Sequence, residues 1–160
     1  MAKQKRSERM KVLLKLAQMR EDSAARTLAE NSEKLQQAQR QGQQLALYNR
    51  EYQQQYATRA GQAMSMRDLR NFQGFFQQLD NVQTQQQNLV AQRDEEREQA
   101  RLQWVQLYNR RRVLDQIRER SRNEEEAVHE RKLQAEFDDR AARHSLMDSR
   151  RDSGEATDKS

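Results

Sequence analysis

Residues 57–68 read ATRAGQAMSMRD, and this stretch decides how the chain folds. Gly61 is the only glycine between Gly42 and Gly74. It offers a C-terminal stop for a helix arriving from the N-terminal side. Ser65 stands three residues before Asp68, the spacing of a capping box with Asp in place of Glu. A second helix is therefore expected to start near Met66. The chain has no proline and only four glycines in 160 residues, so other strong breaks are scarce.

N-terminal to the turn, seven-residue steps from Leu14 reach Glu21, Leu28, Leu35, Gly42, Asn49 and Tyr56. Three residues after the first six stand Ala17, Ala24, Asn31, Ala38, Leu45 and Tyr52. This is an a/d seam with polar interruptions over about residues 10–59. Ala24 and Ala38 permit close approach of a partner helix. Asn31 and Asn49 cost stability but fix register if paired.

C-terminal to the turn, steps from Phe72 reach Leu79, Gln86, Arg93, Ala100, Leu107, Leu114, Ser121 and Val128. One flank adds Phe76, Val90 and Trp104. The other adds Phe75, Val82, Leu89 and Ile117. The stripe weakens around Arg93 to Arg97. A helix over about residues 66–147 follows, with a disordered tail over 149–160, where RRDSGEATDKS has no hydrophobic anchor. A short connection makes the two helices antiparallel neighbours. The fold class is all-α: one long two-helix antiparallel coiled-coil hairpin over residues 1–148. Its second helix overhangs the N-terminal end. A paired stretch of about 50 residues spans about 75 Å.

Composition agrees. Apolar residues are 34% of the chain, well below the ~45–50% of globular domains, so a thick core is excluded. Glutamine alone supplies 25 residues, and the dominant types are good helix formers. Without cysteine there is no disulfide, thiolate metal site or cysteine nucleophile. No apolar run reaches the ~18 residues of a membrane span, and VLLKLA is too short for a signal-peptide core. Seven basic residues against Glu8 give the first 20 residues a charge of +6, although the whole chain is only +5. That end is suited to an acidic surface. A frayed solubilising end is the plain alternative. Nucleic acid is disfavoured, because no aromatics interleave with the cations. A membrane-lying helix wants a broader apolar face than VLLKLAQM offers.

No phosphate loop, GxSxG, HExxH or CxxC is present. The chain reads as a non-enzyme with no cofactor or metal. His129 and His144 read as a solvated helix face, and the runs DEEREQAR and RSRNEEEAVHERK as exposed i,i+4 pairs. Trp104 is expected at or near the seam. The most informative cluster flanks the turn: Leu45, Tyr48 and Tyr52 on the first helix, and Phe72, Phe75, Phe76, Leu79 and Val82 on the second. Three phenylalanines within five residues exceed what a two-stranded seam covers. Seam packing and a partner-binding patch both account for them.

An ordered set of these residues resembles the flagellar export protein FliJ family. Leu45, Tyr48, Glu51 and Tyr52 precede the glycine-containing turn; Asn71, Phe72, Gln73, Phe75, Phe76 and Leu79 follow it. Trp104 with Arg111, the run Glu136–Phe137 to Arg140–Ala141–Ala142, and the basic N-terminus also fit. The resemblance spans about Met10 to Ala142. It implies a hairpin similar to the central stalk of rotary ATPases, in a cytoplasmic part of the flagellar type III export apparatus. The implied partners are the hexameric export ATPase, the cytoplasmic domain of the export gate membrane protein, and export chaperones. The implied location is peripheral, on the cytoplasmic side of the membrane at the flagellar base. The chain is expected to be a monomer that neither inserts in the membrane nor binds nucleic acid. The implied gate-binding surface is Gln41, Leu45, Tyr48 and Tyr52 with Phe75, Leu79, Val82 and Gln86. The implied ATPase-facing end carries Lys5, Arg6, Arg9, Lys11, Phe137 and Arg140. The stalk of a virulence secretion system and a parallel-dimer scaffold are the alternative readings.

Overall fold

A computed structural model of the chain describes residues 4–155. It is a helical hairpin of two elements, α1 (Arg6–Ala60) and α2 (Met66–Glu155), which pack against each other. No strand occurs among the described residues.

The two helices divide between two compact units. The first is Ala17–Arg111, which holds the turn. α1 ends at Ala60, where Gln62 N–H donates to the Arg59 carbonyl at 3.0 Å. Gly61 has no positive φ, so the expected stop is made by a tightened last turn and not by a left-handed cap. Ser65 is the N-cap of α2, its hydroxyl accepting the Asp68 N–H at 3.2 Å.

Every a/d position of α1 between Ala17 and Tyr56 is buried or half-buried. The core they build is thin. Ala17, Ala24, Leu35, Ala38, Phe72, Leu79 and Ala100 are its buried apolar residues, and no side chain is fully enclosed. Four of the seven are alanines, which bring the backbones close. Antiparallel register shows in two cross-helix contacts. Asn49 Nδ2 donates to Gln83 Oε1 at 3.0 Å, and Arg111 pairs with Glu21. Four heptads separate Glu21 from Asn49, and four separate Gln83 from Arg111, so the seam runs between them without a slip. The weak stretch of α2 is bridged by arginine stems. Arg93 and Arg97 are half-buried and turn their guanidiniums to Glu96 at 3.1 Å and Asp94 at 3.0 Å.

The second unit draws on the described residues before Ala17 and after Arg111. Ser7, Met10 and Leu14 of α1 and Leu114, Arg118, Ser121 and Glu125 of α2 are buried or half-buried. α1 starts at Arg6 and not near Met10, because α2 caps it: Glu125 accepts both the Ser7 N–H, at 3.1 Å, and the Ser7 hydroxyl. A carboxylate at a helix N-terminus is favoured by the unpaired N–H groups there. Those bonds, with the Lys5 ammonium nearby, hold the Glu125 carboxyl below its ordinary value of 4.5, against a smaller opposing effect of burial. The cap's stabilisation is therefore present above pH 4.5 and drains away as pH falls through the lowered folded value. Glu125→Gln is expected to speed amide exchange in the first turn of α1 at neutral pH, with parent and variant converging in acid. Equal exchange at neutral pH would refute the cap.

All described residues of α2 past Glu125 are exposed, as far as side chains are described. Val128, expected in the seam, is among them, because no described residue of α1 stands opposite. Of the tail expected to be disordered from Ser149, the described part continues α2 as helix to Glu155. An apolar anchor is not needed to extend a helix already nucleated upstream, where each added residue gains one backbone hydrogen bond. The hydroxyls of Ser149 and Ser153 fold back onto the Ser145 and Arg150 carbonyls, at 2.8 and 3.2 Å. Residues 156–160 lie outside the described residues.

Candidate functional site

The turn end of the first unit carries the densest side-chain chemistry. Tyr52 sits at the centre of an aromatic cluster, with its ring centroid 4.2 Å from Phe75 and 5.3 Å from both Phe72 and Phe76. Tyr56 approaches Phe72 at 5.2 Å and Phe76 at 5.5 Å, both edge-to-face. Arg59 lies 5.9 Å over the Phe72 ring. Edge-to-face and offset rings are the favoured aromatic arrangements. The cluster is thus a packed cap on the hairpin. Tyr48 stands at its edge, 6.5 Å from Phe75 and 52% exposed. Most of the cluster is therefore seam packing, while Tyr48 stays exposed at its edge.

The eight residues of the expected gate surface separate in the same way. Gln41, Tyr48 and Val82 are exposed, while Leu45, Tyr52, Phe75 and Gln86 are half-buried. Leu79 is only 8% exposed and belongs to the seam. Gln86 crosses to α1, donating from Nε2 to the Ala38 carbonyl at 2.7 Å and to Gln41 Oε1 at 3.5 Å. The crossing does not depend on Gly42, since a Cβ there would lie 3.6 Å from Gln86 Cγ, an ordinary van der Waals contact. A groove of about 590 Å³ opens beside them, lined by Gln39, Gln43, Leu45, Ala46, Gln83, Gln87 and Val90 as well as Gly42 and Gln86. No charged side chain lines it. Asn49 Oδ1 is buried without a hydrogen-bond partner among the described residues. Heptad spacing puts Asn49 in the seam but does not point to Gln83, because glutamine is the commonest residue of the chain.

In the second unit, Arg6, Arg9 and Lys11 are exposed on the first turns of α1 with Lys5 exposed just before it, and Phe137 and Arg140 are exposed on the unpaired part of α2. Between them lies the Glu125 cap, which composition gave no way to find. Trp104 is half-buried and stacks on Tyr108 at 5.4 Å, and Arg111 lies 5.4 Å over the Tyr108 ring. His144 meets Asp148 at 3.2 Å on an open surface. No cluster of metal-ligating side chains occurs among the described residues.

The chain is thus a thin-seamed helical hairpin with an aromatic cap and a glutamine-lined groove. The family model described as "Flagellar FliJ protein" matches residues 5–149, nearly the whole chain. The chain belongs to that family and is a flagellar export-associated protein. The family is a non-catalytic export component. No curated protein and no solved structure matches the chain. No helix among the described residues is long and apolar enough to cross a membrane.

Proposed function

We propose that this chain is the stalk of the flagellar export ATPase, sitting in the pore of the hexamer and linking it to the export gate. It escorts export chaperones to the same machinery and is needed for flagellum assembly and motility. Family membership supports the setting, and the edge of the aromatic cluster carries the reading. Tyr48 and Val82 are large and exposed; Tyr48 stands against Phe75 of the ring cluster, and Val82 lies seven residues on from Phe75, on the same side of α2. Exposed aromatic anchors backed by packed side chains are what interface hot spots are made of. The gate-facing surface on this reading is Tyr48 and Val82 with Gln41, Leu45, Phe75 and Gln86, while Tyr52 and Leu79 support it from below. The ATPase-facing end is the open end, with Lys5, Arg6, Arg9, Lys11, Phe137 and Arg140. The hairpin does no chemistry. It shifts the ATPase by contacting one nucleotide state of the ring better than another, which any such coupling requires.

The test replaces the exposed members, because removing Tyr52 would also damage the cap. Tyr48→Ala with Val82→Ala is expected to weaken binding to the purified gate cytoplasmic domain at least about tenfold. Stimulation of the hexameric ATPase should stay at the parent level. If gate binding also stays at that level, the patch assignment fails.

A further inference from the structure

Charged residues make up 34% of the chain, yet none occurs in residues 41–49 of α1 or 81–92 of α2. The seam sets these two stretches side by side, where Asn49 bonds to Gln83. Gln41, Tyr48 and Val82 lie on one side of that seam. By helical spacing, Gln43, Ala46 and Arg50 of α1 lie on the other side, with Asp80, Thr84 and Gln87 of α2, and all six are exposed. Two grooves in line crease this second face: the glutamine-lined one described above, and one of about 520 Å³ that reaches Gln53, Phe76 and Asp80. Arg50 and Asp80 mark where charge resumes towards the turn, one on each helix. Neither side chain forms an ion pair among the described residues.

We propose that this face binds a second copy of the chain, across a two-fold axis parallel to the helices. Such an axis lays α1 of each copy antiparallel against α2 of the other. On α1, the face residues Gln43, Ala46 and Arg50 follow one another by three and four positions. On α2, Gln87, Thr84 and Asp80 do so in the reverse chain direction. One antiparallel alignment therefore meets all three pairs at once. Gln43 opposes Gln87, and each amide is both donor and acceptor, so the two satisfy each other. Ala46 opposes Thr84, and these short side chains let the backbones approach. Arg50 opposes Asp80, and the two-fold axis forms that pair twice. Each helix thus carries the charge that the other helix needs, and a second copy sets no like charges together here. A basic or an acidic partner helix would meet either Arg50 or Asp80 with its own sign. The ion pairs stay solvated, so they select partner and register more than they add affinity. The gate-facing residues remain uncovered, and the dimer does not rest on the reading given to them. The monomer expected from the sequence is then the dilute state.

The experiment is sedimentation equilibrium of the full chain. The share of dimer should rise with concentration up to about 0.5 mM. Asp80→Arg sets two arginines against each other at both pairs and should weaken the dimer at least about tenfold. Arg50→Asp should do the same with two carboxylates. Arg50→Asp combined with Asp80→Arg restores opposite charges and should return the dimer to within about threefold of the parent. Both residues are exposed, and matching circular dichroism melts will show that the variants fold. Orientation is read by disulfides, because the chain has no cysteine of its own. Copies with Ala46→Cys mixed with copies with Thr84→Cys should form the mixed disulfide faster than either like disulfide. A chain that stays monomeric throughout would overturn the proposal. So would a dimer that Asp80→Arg leaves unchanged, a charge swap that restores nothing, or like disulfides that form as fast as the mixed one.

Discussion

Phe72→Ala is expected to destabilise the hairpin by about 3–5 kcal/mol, the usual cost of emptying a buried phenylalanine site. Phe72 is buried and contacts Tyr52 and Tyr56 across the hairpin, Phe76 on its own helix, and the Arg59 guanidinium. Seven buried apolar residues make up the core of the described chain, and four of them are alanines. Phe72 is the largest of the seven, so no neighbour can compensate for its loss. The damage also falls beside the turn, where the two helices are joined and where their pairing starts most cheaply. Urea unfolding followed by circular dichroism would measure it, with Phe137→Ala as control. Phe137 is 62% exposed on the unpaired part of α2, and its replacement should stay within about 0.5 kcal/mol of the parent. If the two variants unfold at the same denaturant concentration, the aromatic cap is not a core.

The contrast between these two phenylalanines shows what the sequence could and could not disclose. On α1, heptad steps from Leu14 to Tyr56 picked out residues that are all buried or half-buried. The steps worked there because alanine, leucine and tyrosine occupy most of them. On α2 the same steps hold from Phe72 to Ser121, and a second row of half-buried residues runs through Leu69, Phe76, Gln83, Val90, Arg97, Trp104, Arg111, Arg118 and Glu125. Of that row only Phe76, Val90 and Trp104 stood out beforehand. Its other members are mostly polar, yet they cover the seam with their stems and carry their polar groups to partners at the edge. Periodicity also cannot tell where pairing stops. Val128 has the right spacing and an apolar side chain, but burial depends on a residue of α1 standing opposite, which one helix's pattern does not encode. The candidate surface was legible in part for the same reason. Tyr48 falls off the a/d rows and is open, whereas Leu79 falls on them and is buried. The Ser7–Glu125 cap joins residues far apart in sequence through two polar side chains, and no hydrophobic pattern points to it.

Glu21→Leu is the second large effect, and its sign depends on what is done to Arg111. The two side chains pair across the helices at seam positions, Glu21 11% and Arg111 22% exposed. Removing the carboxylate leaves the guanidinium half-buried, without that anion and with the Tyr108 ring still beneath it. The expected cost is about 1–3 kcal/mol, that of taking a charged partner from a partly buried polar group. It falls short of the ~3–5 kcal/mol for a broken, fully buried pair because water still reaches Arg111. Glu21→Leu combined with Arg111→Leu should recover the loss, or exceed the parent, because an apolar layer needs no desolvation of charge. What the double variant gives up is register. A leucine layer accepts neighbouring leucines one heptad away, whereas a Glu–Arg pair is satisfied only opposite its own partner. The double-mutant cycle in urea should therefore show coupling of at least about 1 kcal/mol. Single-variant losses under about 0.5 kcal/mol with no coupling would place the pair among ordinary surface contacts, and the alignment of the seam would then rest on the aromatic cap and on the Asn49–Gln83 and Gln86–Ala38 bonds.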